Sequence, residues 1–305
     1  MKLACGDHSF PLLEHEKVCE LVRLLGFEAI DIGLMGNRSH IRPEIVRQNP
    51  LGWAARLDER TRGRGLEVAD LFLIPWTDFE TLAPNHPGVA ERGRAAELFR
   101  ETLAFASALG LTGMTMLPGI HWPDESHEQS LARAADELRW RVEEADAGGI
   151  ALSVEPHIGS VVAHPSDALQ LCQRTPGLTL TLDHTHFIYQ GLAQEAADEL
   201  VPFTRHYHAR GARNGRLQAP MSENELDFER IVEQFRAADY RGYLAVEYVW
   251  LDWERCNECD NVSESILLRD RLLSALKGER PLSGSALGDV TGGRQAELDL
   301  PGPTG

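Results

Sequence analysis

ALSVEPH (151–157), LTLTLDH (178–184), RHYHARGA (205–212) and YLAVEYVW (243–250) are short segments, mostly apolar in three of the four, and each carries a carboxylate or an imidazole. Short apolar runs bounded by turn signals read as buried strands. Towards the N-terminus, KLAC (2–5), AIDIGL from Ala29, VADLFL from Val68 and GMTMLPG from Gly113 have the same character, so eight strands are expected. Helical periods fill the gaps at 14–25, 43–62, 89–109, 126–147, 165–173, 226–238 and 263–276, with a weaker one near 193–200. Several strands look continuously apolar, as parallel strands covered on both faces do. Eight β-then-α repeats therefore favour a single (β/α)8 TIM barrel over a doubly wound sheet. The barrel domain is expected over 1–277. Residues 278–305, rich in Gly, Pro and Ser with scattered charges, are expected to form a flexible C-terminal tail.

The 305 residues include 47 acidic and 30 basic side chains, a formal charge of −17. Nucleic-acid affinity comes largely from Lys and Arg replacing counterions, so such a chain is not expected to bind DNA or RNA, nor an anionic membrane. The longest uncharged stretch, 102–123, is long enough to cross a bilayer, but Gly110, Gly113, Pro118 and Gly119 break it. No apolar leader is evident, so a cytoplasmic location is expected. Five scattered cysteines form no disulfide framework, and the lone C-x-x-C of Cys256 and Cys259 reads as a reduced, incidental pair.

Active sites of such barrels lie at the C-terminal ends of the strands. Glu155, Asp183, His208 and Glu247 stand there on strands five to eight. Neighbouring parallel strands lie about 4.8 Å apart, so these groups converge. Three carboxylates in one place call for a cation. Three oxygens and one nitrogen suit one divalent ion, Mn²⁺ first and Mg²⁺ or Co²⁺ as alternatives, with positions left for substrate oxygens.

Taken together, SVEPH, TLDHTHF, HYHARG and AVEYVW resemble the xylose-isomerase-like sugar isomerase and epimerase superfamily over roughly residues 1–276. The resemblance implies that Glu155, Asp183, His208 and Glu247 are the metal ligands, that Glu155 and Glu247 also form the acid/base pair, and that His186 hydrogen-bonds substrate. It implies a small carbohydrate or keto-sugar substrate and a dimer or tetramer. Ketose 3-epimerases of this superfamily usually carry a Glu and an Arg where this chain has Val161 and Asn214, which speaks against a free ketose; Arg210, Arg213 and Arg216 are the candidates to replace that Arg. His157 is a candidate separate base, which suits enolisation followed by β-elimination, as in the inosose dehydratases or C-glycoside-cleaving relatives.

His121 and Trp122, after the fourth strand, are further candidates to line a sugar pocket, as are Trp76, Trp250 and Trp253. Asp31 reads as a rim hydrogen-bonding group, and His8 is a candidate to reach substrate. His184 and His206 are expected to turn away from the barrel interior. The trinuclear zinc endonucleases on this barrel need histidines after strands two and three; none follows IDIGL or VADLFL directly, so DNA cleavage is not expected.

Overall fold

The computed structural model describes residues 1–279, so residues 280–305 of the expected tail lie outside the described residues. Eight parallel strands close into a barrel in chain order: β1 (Lys2–Gly6), β2 (Ala29–Met35), β3 (Glu67–Ile74), β4 (Gly113–Met116), β5 (Ala151–Val154), β6 (Thr179–Leu182), β7 (Thr204–Ala209) and β8 (Tyr243–Val246). β8 pairs back onto β1, with Leu3 opposite Leu244 and Cys5 opposite Val246. The single TIM barrel read from the sequence is the observed fold.

The helices are α1 (His15–Leu24), α2 (Pro43–Val46), α3 (Pro50–Thr61), α4 (Val89–Ala108), α5 (His127–Ala147), α6 (Pro165–Arg174), α7 (Thr185–Tyr189), α8 (Phe228–Ala237) and α9 (Asn261–Lys277). The period over 43–62 is two helices, because Asn49 caps α3 by accepting from the Gly52 amide and Pro50 opens its first turn. The weak segment near 193–200 is a 3-10 stretch, Gln194–Phe203, in which Pro202 removes an amide donor. α8 shows how the shell packs: Phe228, Ile231, Val232 and Phe235 recur at helical spacing and are all buried.

The strands are not apolar on both faces. Leu152, Leu180, Leu182 and Leu244 join the helices in one continuous core outside the barrel wall. The alternate positions point inward and include many polar residues beside a small alanine cluster, Ala4, Ala29 and Ala245. Thr115 Oγ1 on β4 lies 2.6 Å from Thr181 Oγ1 on β6, and Arg205 Nη2 on β7 donates to Asp70 Oδ1 on β3 at 2.7 Å. His206 Nε2 on β7 lies 2.6 Å from Asp31 Oδ2 on β2. None of these strand pairs are neighbours, so the contacts run through the barrel interior. The hydrophobic core is thus a sleeve around a hydrogen-bonded column. All five cysteines are buried and unpaired. Among the described residues, no helix is long and apolar enough to cross a membrane.

Candidate active site

Glu155 and Glu247 follow β5 and β8 directly, and their amides continue the ladder by donating to the carbonyls of Met116 and Ala209. His208 sits on β7 between them. Its Nδ1 lies 2.7 Å from Glu155 Oε1 and 3.3 Å from Glu247 Oε2, and all three side chains are buried. One ligand atom from each lies within 4.8 Å of the others. Two carboxylates and an imidazole so disposed fit a hard-to-borderline divalent ion.

Burial pushes the Glu155 carboxyl up to about 7, although the hydrogen bond and charge of His208 pull against it. Burial opposes ionisation of Glu247 too, but the charge of His208, the hydrogen bond with His8 and the charge of Arg210 outweigh it and hold Glu247 well below the usual carboxylate range. Two carboxylates on one imidazole thus stand in different electrostatic environments.

Asp183, following β6, is engaged beside this trio. Its Oδ2 accepts from Arg210 Nη2 at 2.9 Å, and its Oδ1 from the amide and hydroxyl of Thr185 at 2.9 and 2.7 Å. Arg210 is the candidate arginine that the fold brings into the site. Arg213 pairs with Glu223 and Arg216 with Glu258, away from the cavity. His186 is fully buried, 4.0 Å from the His157 ring between centroids. Burial lowers His157 to about 4, and its Nδ1 lies 2.5 Å from the Ile158 carbonyl, which leaves Nε2 as an acceptor.

The other side is built by the N-terminus. In the turn after β1, His8 Nε2 lies 2.9 Å from Glu247 Oε1, while Asp7 Oδ1 accepts from the Gly33 amide at 2.8 Å. A Cβ at Gly33 would stand 3.0 Å from His8 Nδ1, so glycine there leaves room for the imidazole. Beneath the trio, Asp31 Oδ2 faces both His206 Nε2, at 2.6 Å, and His208 Nε2, at 3.5 Å.

Glu155 and Glu247 open into a cavity of about 270 Å³, lined also by His8, His157 and Arg210. Trp253 lines it; Trp76 and Trp250 do not. His121 and Trp122 are likewise not among its lining residues: His121 is exposed and bonds the Glu125 carbonyl, and the Trp122 indole donates to Asn85. His206 corrects the expectation that it turns outward. It stands two residues before His208, and strand alternation gives both the same face. Asp31 likewise sits in the interior rather than at the rim. His184 does turn away, and packs edge-on against Tyr207.

A family model described as xylose isomerase-like TIM barrel matches residues 19–268. The chain belongs to this family. Structures of similar shape include L-ribulose 3-epimerase (TM-score 0.71, 15% identity, 91% of this chain and 96% of that one) and 3-keto-D-glucoside 4-epimerase from E. coli (0.67, 16%, 90% and 99%). Another is described as the probable 3-DHS dehydratase of Bacillus anthracis (0.65, 16%, 89% and 100%). At these identities the likeness concerns the fold. No curated protein matches the chain.

Proposed function

We propose that this family member is a divalent-metal-dependent isomerase or epimerase that acts on a carbohydrate or keto-sugar through an enediolate. The observation that carries this reading is the convergence of Glu155, His208 and Glu247 at the C-terminal ends of the strands, where both glutamates line a cavity. These three, with Asp183 as the fourth ligand, would hold the ion, Mn²⁺ first and Mg²⁺ or Co²⁺ as alternatives. When bound, the ion supplies polarisation of a carbonyl and its neighbouring hydroxyl, which acidifies the C–H between them.

The chain's own groups do the rest. Glu155 and Glu247, on strands separated by β6 and β7, are the pair that removes a proton and returns one. His8 holds Glu247 Oε1, which keeps Oε2 turned towards His208. Arg210 orients Asp183 and offers a buried positive charge beside the cavity. Two solved structures of the same fold described as sugar epimerases, L-ribulose 3-epimerase and 3-keto-D-glucoside 4-epimerase, support this reading.

A lyase reading is favoured by one observation. His157 lines the cavity with Nε2 as acceptor and stands within 4.8 Å of Glu155 and His186 by their ligand atoms. A neutral imidazole there suits proton removal before β-elimination, and the dehydratase shares the fold.

Elemental analysis of the full chain for Mn, Co, Zn, Fe and Mg tests the site, alongside Glu247→Gln and His208→Ala. Near-stoichiometric metal, lost in both variants, is expected. A keto-sugar panel in D₂O should then show deuterium at the carbon beside the carbonyl with no elimination product. Accumulation of such a product would favour the lyase. No metal even after addition of Mn²⁺ would refute both.

A further inference from the structure

Two arginines line the cavity, and they stand in different circumstances. Arg210, beside the glutamates, is buried, and Asp183 matches its charge at 2.9 Å. Arg38, at the rim, is half-buried, and among the described residues no carboxylate pairs with it. Its hydrogen-bond partner in the protein is the neutral Thr77 carbonyl, 3.4 Å from Nη2. A guanidinium carries five N–H donors in a planar fork, so most of them are unspent. Burial pushes Arg38 below its ordinary value, and no neighbouring charge offsets that cost. With 47 acidic side chains against 30 basic ones, this chain does not leave an arginine single for want of acids.

The local sequence aims this side chain. Directly after β2, the Gly36 amide continues the ladder by donating to the Ile74 carbonyl at 2.9 Å, which presses the turn against β3. Asn37 takes a left-handed conformation, φ 52°, which asparagine adopts more readily than most residues, and its amide donates to Glu44 Oε1 at 3.2 Å. Ser39 closes the turn: its Oγ accepts from the Met35 amide at 2.8 Å and donates to the Ile41 carbonyl at 2.5 Å. With both neighbours tied down, Arg38 reaches from the end of β2 to the segment after β3 and lines the cavity on the way.

The rest of the rim is already committed. His40 Nε2 lies 2.9 Å from the Leu13 carbonyl. Asp78 also lines the cavity, but its carboxylate accepts from the Glu80 amide and the Thr81 hydroxyl, both at 3.0 Å, and so serves its own loop. The wall below is Met35, Phe72 and Ile74, whose side chains carry no N–H or O–H. A substrate that extends from the glutamates to the rim therefore meets one unspent cationic side chain, Arg38.

We propose that Arg38 binds a carboxylate carried by the keto-sugar at the end remote from its carbonyl, so that the substrate is a keto-sugar acid. A carboxylate matches a guanidinium in geometry and in charge, with two parallel N–H···O bonds and one negative charge against one positive. A phosphate ester brings up to two negative charges, and the second finds no further arginine or lysine among the rim residues. Arg210 is taken by Asp183, and no α-helix begins among the lining residues to add the positive end of its dipole. A neutral ketose would leave the half-buried charge uncompensated. This inference rests on reading the site around the glutamates as a keto-sugar site.

The test is calorimetric titration of the full chain, after addition of Mn²⁺, with D-fructuronate, D-fructose and D-fructose 6-phosphate, which differ only in the terminal group. D-Tagaturonate against D-tagatose supplies a second stereochemistry. Arg38→Gln and Arg38→Lys are titrated alongside, with metal content and melting temperature measured on every sample. In at least one series the acid should bind at least about tenfold more tightly than the neutral sugar, the low end for hydrogen bonds to a charged group. Arg38→Gln should lose most of that advantage and keep its metal, while Arg38→Lys, which keeps the charge without the fork, should retain part of it. Acids that bind no better than the neutral sugars in both series, failure of all to bind included, overturn the proposal. So does an advantage that survives in folded Arg38→Gln, which would place the carboxylate on the ion or on Arg210. A phosphate ester that binds more tightly than the acid, with the gain lost in Arg38→Gln, overturns the choice of carboxylate. An acid preference in protein that holds no metal would remove the metal-dependent reading and leave this one standing; bound metal without an acid preference would do the reverse.

Discussion

Replacing Asp31 with Asn should weaken metal binding without unfolding the protein. Asp31 Oδ2 lies 2.6 Å from His206 Nε2 and 3.5 Å from His208 Nε2, while His208 Nδ1 faces Glu155 at 2.7 Å. At 3.5 Å the Asp31 carboxylate is a charge contact and not a hydrogen bond to His208, but its charge favours the proton on Nε2 and so leaves the Nδ1 lone pair for the ion. Asn keeps the shape but offers a neutral acceptor, roughly half as strong. Loss of such a partner typically costs about 10- to 100-fold in metal affinity, which is about 1.4–2.7 kcal/mol. Competition between the full chain and a chelating dye for Mn²⁺ measures it, with metal-free melting temperatures as the control for folding. The reasoning is refuted if Asp31→Asn binds Mn²⁺ as tightly as the unaltered chain while His208→Ala does not bind it.

Arg205→Met should destabilise the fold by about 3 kcal/mol, the lower end for a broken buried pair, because it strands the fully buried Asp70 while Arg205 itself is partly exposed. Urea unfolding should show this loss, and adding Asp70→Leu should restore much of it; an unchanged midpoint in the single variant would mean that Asp70 needs no cation. Gly36→Ala would place a Cβ 2.1 Å from the Pro75 carbonyl oxygen, and a fall of about 1–3 kcal/mol is expected by the same assay. Mn²⁺ at a hundred times its Kd should stabilise the fold by about 2.7 kcal/mol, seen as a rise in melting temperature; His208→Ala should show no rise, and an equal rise there would place the ion elsewhere.

The barrel was legible because most strands are short, largely apolar runs and most helices keep their period, although 43–62 divides into α2 and α3. A further exception, Gln194–Phe203, carries Pro202 and tightens to 3-10 geometry. Glu155, His208 and Glu247 were legible because a strand end fixes both the height and the direction of a side chain. Arg210 obeys the same rule, since it directly follows β7 two residues beyond His208 and so shares its face. Loop residues have neither constraint, so the sequence did not show that Arg213 and Arg216 pair with surface carboxylates or that His121 and Trp122 stay off the cavity. The role of His8 depends on Gly33, a residue 25 positions later whose missing side chain makes the space. The polar column was within reach: Thr179 and Thr181 alternate with Leu180 and Leu182, a period of two that a run of apolar letters conceals.

That column bears on how the barrel chooses its pairing. A slip of one residue would turn every leucine of a strand inward, but a slip of two would leave the apolar sleeve unchanged. The sleeve alone therefore cannot tell one shear from the next. The links Asp31 to His206, Asp70 to Arg205 and Thr115 to Thr181 can, since each connects one residue to one partner across the bore. They act as the teeth of a lock, and the level at which Glu155, His208 and Glu247 meet is the position in which that lock closes.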